Sequence, residues 1–246
     1  MSAEANYTAG LLIIGNEILS GRTQDANTSY LAQRLNKKGI QLVETRTVRD
    51  IEDEIIKALN DLRSSYRYIF TTGGIGPTHD DITTEAIAKA FGVPVLEHPE
   101  ARKCLENHYK TRDLNLPRLK MALIPEGAEL IYNSNSGAPG FRLGNVHVMA
   151  GVPEIMQNML NNIIDELEGG APVISNTVPC PNCKESMVAL QLEEIQNQYP
   201  EIDIGSYPYF KNKEYGINLV LKGTNHNLLD EATSEVTNIV REVIGK

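Results

Sequence analysis

Basic residues are in short supply: Lys and Arg number 23 against 32 Asp and Glu, a formal net charge of -9, and no segment gathers them. The electrostatic footprint of a nucleic-acid binder is therefore missing. A small anionic ligand is compatible with this balance, because backbone N–H groups and a bound cation act locally. No apolar run approaches the roughly 20 residues of a membrane span. Met1 to Thr8 lack the basic start and apolar middle of a secretory signal, so a cytoplasmic location is expected. Cysteine is scarce too. Cys104, Cys180 and Cys183 are too few and odd in number for a disulfide framework, which agrees with a reducing compartment. Cys180-Pro181-Asn182-Cys183 is a lone C-x-x-C without the further Cys or His ligands that a structural zinc requires. Ser136 and Ser186 have no visible His and acid partners for a nucleophilic triad. Internal repeats and low-complexity tracts are absent.

The 246 residues, 41% apolar, suffice for a full core and suggest two domains. Ala9 to Gly15 is a continuous apolar run ending in glycine, which predicts a strand buried on both faces. Helical spacing follows over Asn27 to Lys38, stopped by Gly39. A strand over Gln41 to Val48 leads to Asp50, placed to cap a helix carrying Ile51, Ile55, Ile56, Leu59 and Leu62. Tyr68 to Thr71 is a third strand, and a helix starting at Asp81 or Thr83 ends at Gly92. This alternation predicts a mainly parallel sheet with helices on both faces. Pro99 fits the first turn of a helix reaching about Arg112. Gly144-Asn145 is a two-residue turn signal, so Phe141–Leu143 and Val146–Val148 should form a hairpin closing that side of the sheet. A helix opens at Gly151-Val152-Pro153. Glycine and proline then cluster at Glu168 to Pro172, marking a boundary between a domain over 1–170 and a smaller one over 171–246. The latter reads β-α-β-β-α, an order suited to a ferredoxin-like α+β module.

In an open α/β sheet, ligands bind beyond the carboxyl ends of the strands. There, Thr71-Thr72-Gly73-Gly74-Ile75-Gly76-Pro77 lets the backbone turn tightly and approach a ligand, with a helix N-terminus directed at the same space. The loop is neither a Walker A motif nor a G-x-G-x-x-G fingerprint. It is either a phosphate cradle or a sharp strand-to-helix turn. Asp80-Asp81 beside such a cradle would repel phosphate unless a divalent cation lay between them; one of the pair can instead cap the helix. Glu17 and Asp25 either add carboxylates to the same rim or face water. His79 is a possible base or a solvated loop residue.

The segment Thr71 to Thr83 resembles the signature of the molybdopterin-binding-like domain of the CinA (competence/damage-inducible) family. So do Gly15-Asn16-Glu17-Ile18-Leu19-Ser20-Gly21, Asn135-Ser136-Gly137-Ala138-Pro139-Gly140-Phe141 and Gly151-Val152-Pro153-Glu154-Ile155-Met156. Ile204-Gly205-Ser206-Tyr207-Pro208 is similar to the family's small middle module. The resemblance implies a three-layer α/β/α domain with a mostly parallel sheet, followed by a small α+β domain. It also implies a metal-dependent pyrophosphatase acting on ADP-ribose or a related dinucleotide such as FAD. Relatives with the same domain type bind or adenylylate molybdopterin, or open eukaryotic FAD synthase. Adenylyl transfer to molybdopterin and a non-catalytic nucleotide-binding module are thus the alternatives. The expected catalytic and metal-holding residues are Asp50, Asp80 and Asp81. The expected ligand-binding set is Thr72, Gly73, Gly74, Gly76, Asn16, Glu17, Asn135, Ser136, Gly137, Gly151 and Pro153. Magnesium, manganese or cobalt is the expected cofactor, with potassium as a further activator; no flavin or haem is expected as a prosthetic group. The expected partners are a small nucleotide or pterin and further copies of the chain, without nucleic acid or membrane. Full-length CinA proteins continue into a nicotinamide-mononucleotide deamidase domain, and eukaryotic FAD synthase has a separate synthase domain; neither activity is expected from 246 residues.

Overall fold

The computed structural model describes residues 7–211 and 214–244, and the chain divides into two units between Gly170 and Ala171. In the first unit, Thr8–Ile14 forms β1, whose side chains alternate between two cores because successive strand residues face opposite ways. Leu12 and Ile14 pack with Ile55, Leu59, Leu62, Ile87 and Leu105 on one face. Ala9, Leu11 and Ile13 pack with Leu31, Leu35, Met156 and Leu160 on the other. Burial on both faces is why this strand reads as an unbroken apolar run.

The chain continues through α1 (Asn16–Leu19), α2 (Asn27–Lys37), β2 (Gln41–Val48), α3 (Glu52–Ser65), β3 (Tyr68–Thr72) and α4 (Thr83–Phe91). Next come β4 (Val95–Glu97), α5 (Pro99–Tyr109), α6 (Leu116–Lys120), β5 (Leu123–Pro125), β6 (Glu129–Ile131), β7 (Gly140–Leu143), β8 (Val146–Met149) and α7 (Pro153–Ile163). The main sheet has the order β2-β1-β3-β8-β7-β6. Its first four strands run parallel, and β7 is antiparallel to both of its neighbours. With α2 and α7 on one face and α3, α4 and α5 on the other, this is the three-layer α/β/α arrangement expected from the order of elements.

Local differences have local causes. The Gly144-Asn145 turn joins Leu143 to Val146 in register, but the hairpin does not end the sheet, because β6 pairs with β7 and takes the edge. Three residues are too few to show an alternating pattern in sequence. The helix after Pro99 stops at Tyr109, short of Arg112, where Lys110 adopts the left-handed conformation at φ 53°. Asp50 does not cap α3, which begins behind Ile51 without a side-chain cap. Its carboxylate accepts the Asn16 N–H at 2.8 Å, tying the start of α1 to the end of β2.

The second unit contains β9 (Ile174–Pro181), α8 (Ala189–Gln198), β10 (Asp203–Lys211), β11 (Glu214–Gly223) and α9 (His226–Ile244). Its antiparallel sheet is ordered β10-β11-β9, and Ile195 of α8 with Leu229, Val236 and Val240 of α9 pack against it. This is the small α+β module. A short 3-10 turn over Glu185–Met187 precedes α8. Three cysteines do not make a disulfide framework, but two of them form one local bond. Asn182, at φ 59°, turns the chain so that the Cys180 and Cys183 Cα atoms lie 5.6 Å apart, and their sulfurs are bonded. Both are buried in this unit's core.

Candidate functional site

Glycine backbone crowds the carboxyl edge of the parallel strands. Gly73 and Gly74, following β3, have φ values of 101° and 68°, a region that side chains with a Cβ avoid. A Cβ on Gly73 would fall 2.1 Å from the Ile14 carbonyl oxygen at the end of β1, and one on Gly74 would fall 2.1 Å from Thr83 Oγ1. Gly151, just after β8, approaches so closely that its Cβ would lie 3.2 Å from Gly73 Cα. Three strand ends therefore meet at one point, as the sheet order dictates.

Hydrogen bonds then fix the loop's orientation. Gly73 N–H donates to Met149 O at 3.2 Å. Thr83, at the start of α4, donates its N–H to Gly74 O and its hydroxyl to Gly73 O, each at 3.0 Å. With the loop carbonyls held against α4, the N–H groups of Gly74, Ile75 and Gly76 have no acceptor among the described residues. Consecutive unpaired amides in a turn with left-handed residues form an anion-binding concavity, reinforced here by the N-terminus of α4.

Asp81 and Asp80 sit at the mouth of this loop. The Asp81 carboxylate packs against Gly76, 2.7 Å from where a Cβ would stand, and accepts the Thr78 N–H at 2.8 Å. Both carboxylates lie 2.5 Å from Thr78 Oγ1, so the two groups are at most twice that distance apart. One hydroxyl proton cannot serve both, and the residual repulsion favours a cation between them. Hydrogen bonding from Thr78 holds the Asp80 carboxyl below the usual range, with smaller help from the charges of His79 and Lys120. Lys120, from the short α6, donates to Thr78 O at 2.6 Å. Nothing in the sequence flagged this lysine, which reaches the loop only through tertiary structure. His79 is 4.0 Å from Asp80, with its side chain almost fully exposed.

A cleft of about 360 Å³, counted to its open mouth, adjoins the loop. Glu17, Thr72, Gly73, Gly151 and Pro153 of the expected ligand set line it, together with Thr23, Gln24, Asp25 and Asn27. Asp25 caps α2, accepting the Asn27 N–H at 2.9 Å and the Thr28 N–H at 3.3 Å. Asn16, Gly74, Gly76, Asn135, Ser136 and Gly137 of the expected ligand set do not line it, Asn16 being instead bonded to Asp50. The loop holding Asn135, Ser136 and Gly137 is organised by Asn133, whose Oδ1 accepts from Asn135 N at 3.1 Å and Ser136 N at 2.8 Å. It is pinned to α7 through Asn135 Nδ2 and Glu154 O at 3.3 Å, one residue from Pro153. Asn27 and Asn133 were missed by sequence reasoning, since an isolated asparagine carries no periodic signal. Asp50 Oδ2 is engaged by the Asn16 N–H, and among the described residues no three His, Cys, Asp or Glu side chains converge as a closed metal site. The Asp80–Asp81 pair fits instead the magnesium-type pattern, in which one or two carboxylates share the ion with ligand phosphates.

These features define an open, mostly parallel α/β protein with a glycine-rich loop of unpaired amides and a neighbouring cleft at the carboxyl edge of its sheet. Residues 10–169 match the family described as probable molybdopterin binding domain, and residues 172–244 match the one described as FAD synthase, middle domain. The chain belongs to the probable molybdopterin binding domain family and is CinA-like within it. A Metallosphaera sedula protein is 32% identical over 255 residues, covering 97% of this chain and 94% of the relative. An Aeropyrum pernix protein is 31% identical over 252 residues, covering 98% and 93%. The crystal structure of the protein CinA with unknown function from Thermoplasma acidophilum matches with a TM-score of 0.62 at 33% identity, covering 65% of this chain and 97% of that one. No helix among the described residues is long and apolar enough to cross a membrane.

Proposed function

We propose that this chain hydrolyses a phosphoanhydride bond in ADP-ribose or a related dinucleotide such as FAD, with the phosphates on the Gly74–Gly76 amides. The observation that carries this reading is the run of three N–H groups without protein acceptors at the carboxyl end of β3, beside two carboxylates on one hydroxyl. The amides and the N-terminus of α4 would bind phosphate oxygens, and Asp81 with Asp80 would hold magnesium, manganese or cobalt. Asp50, bonded to Asn16 N–H, positions the α1 turn that carries Glu17. A divalent cation in such a site neutralises phosphate charge and acidifies water. The match of the second unit to an FAD synthase middle domain agrees with a dinucleotide ligand.

Adenylyl transfer to molybdopterin is the second reading, favoured by the family description of the first unit and by the cleft beside the phosphate loop. Incubating the protein with ADP-ribose, FAD or ATP plus molybdopterin, each with magnesium, manganese or cobalt, and following AMP release or attachment by chromatography separates the two. AMP release from ADP-ribose or FAD, lost at least about a hundredfold in Asp81→Ala, is the expected result. AMP attachment to molybdopterin without hydrolysis would replace it, and ligand binding without turnover under any metal would leave a binding module.

A further inference from the structure

We propose that Asn27 orients the ligand in the cleft, its Oδ1 accepting a hydrogen bond from an O–H or N–H group on the neutral part of the ligand, beyond the phosphates. This rests on the ligand-site reading above and adds the chemistry of its second subsite.

Asn27 is the first residue of α2 and is 6% exposed. Its Nδ2 donates to Gly151 O at 2.8 Å, across 124 positions of sequence. That bond sets the orientation of the amide, since turning the group over would put its oxygen against the Gly151 carbonyl oxygen. Oδ1 is thereby left buried and without a partner. Buried side-chain oxygens are nearly always paired, and this one belongs to a residue that lines the cleft between Thr72-Gly73 and Gly151-Pro153.

The rest of the cleft specifies the same chemistry. Its lining includes the carboxylates of Glu17 and Asp25 and has no Lys or Arg. A phosphate placed here would meet only like charge, whereas a hydroxyl or N–H would find acceptors. Phosphates accordingly belong over Gly74–Gly76, and the sugar hydroxyls or ring N–H groups of the same ligand belong at Asn27. A site with a fixed, unpaired acceptor discriminates strongly against ligands that lack the matching donor.

The test is calorimetric titration of wild type, Asn27→Ala and Asn27→Ser with ADP-ribose, pyrophosphate, adenosine and neopterin in magnesium buffer, each variant's fold being checked by far-UV circular dichroism. Asn27→Ala should weaken ADP-ribose binding about tenfold and leave pyrophosphate, which reads the loop alone, unchanged. Asn27→Ser keeps a polar side chain too short to reach, and should behave alike if the alanine variant does not fold. Loss confined to ADP-ribose and adenosine identifies a ribose or base donor, and loss confined to neopterin a pterin donor. Asn27-dependent binding without phosphoanhydride turnover would remove the hydrolase reading and keep this one. Equal affinities in wild type and variants, parallel loss of pyrophosphate, or no binding of any of the four probes would overturn it.

Discussion

Acidification should destabilise the first unit through one buried histidine. His147 lies on β8, 2% exposed, stacked on Phe70 with ring centroids 5.1 Å apart. Nδ1 is 3.3 Å from Ile69 O, and Nε2 has no partner. Burial pushes its pKa down from 6.5 to about 4, with the Ile69 carbonyl opposing and Arg142 adding a smaller push in the same direction. Because the folded value is depressed, the unfolded chain binds more protons between these limits. Stability is therefore complete above the unfolded value and is lost as the pH falls towards the folded one. The full loss is about 3 kcal/mol, of which about 2 kcal/mol is gone between pH 8 and pH 5. Urea denaturation at both pH values, followed by far-UV circular dichroism because the chain has no tryptophan, measures it. His147→Phe keeps an aromatic ring against Phe70 and removes the titration. Comparing the two proteins cancels the carboxylates common to both, and wild type should lose about 2 kcal/mol more than the variant. Identical pH dependence in the two proteins would refute the reasoning.

Gly74→Ala forces a Cβ onto φ 68° and against Thr83 Oγ1, so we expect at least about 2 kcal/mol of lost stability and no pyrophosphate binding. An unchanged melting temperature with intact titration heat would contradict this. Asp50→Ala removes the acceptor for Asn16 N–H and should cost about 1 kcal/mol in urea unfolding; Asp50→Asn, which keeps an oxygen acceptor, should recover part of it. Reducing the bond between Cys180 and Cys183 opens a short loop, which in the chain-entropy account lowers the stability of the second unit by about 2 kcal/mol. A melting curve for residues 171–246 unmoved by dithiothreitol would argue against that.

Much of the architecture was legible where the signal is local. The apolar run of β1, the helical spacing of α2 and α3, the Gly144-Asn145 turn and the proline opening α7 depend on residues a few positions apart. Each formed close to its predicted bounds. β6, β4 and β5 went unseen because three residues cannot show a period, and α1 and α6 were too short to register. The disulfide was missed because counting cysteines says nothing of the Asn182 turn that joins the last two.

By itself, the sequence determined that a glycine-rich loop with two following carboxylates leaves a buried parallel strand, because strand burial and glycine's steric freedom are properties of neighbouring residues. Tertiary structure alone decided what each polar group does. Asp50 turned from the cap of α3 to the amide of Asn16, Lys120 reached Thr78, and Asn27 met Gly151. These partners lie far apart in the chain; the order β2-β1-β3-β8 brings together the strand ends that carry Asp50, Asn16 and Gly151, while Lys120 comes in from α6. A short polar side chain bonds to whatever backbone packing sets within about 3 Å of it, and that neighbour cannot be read from the residues on either side.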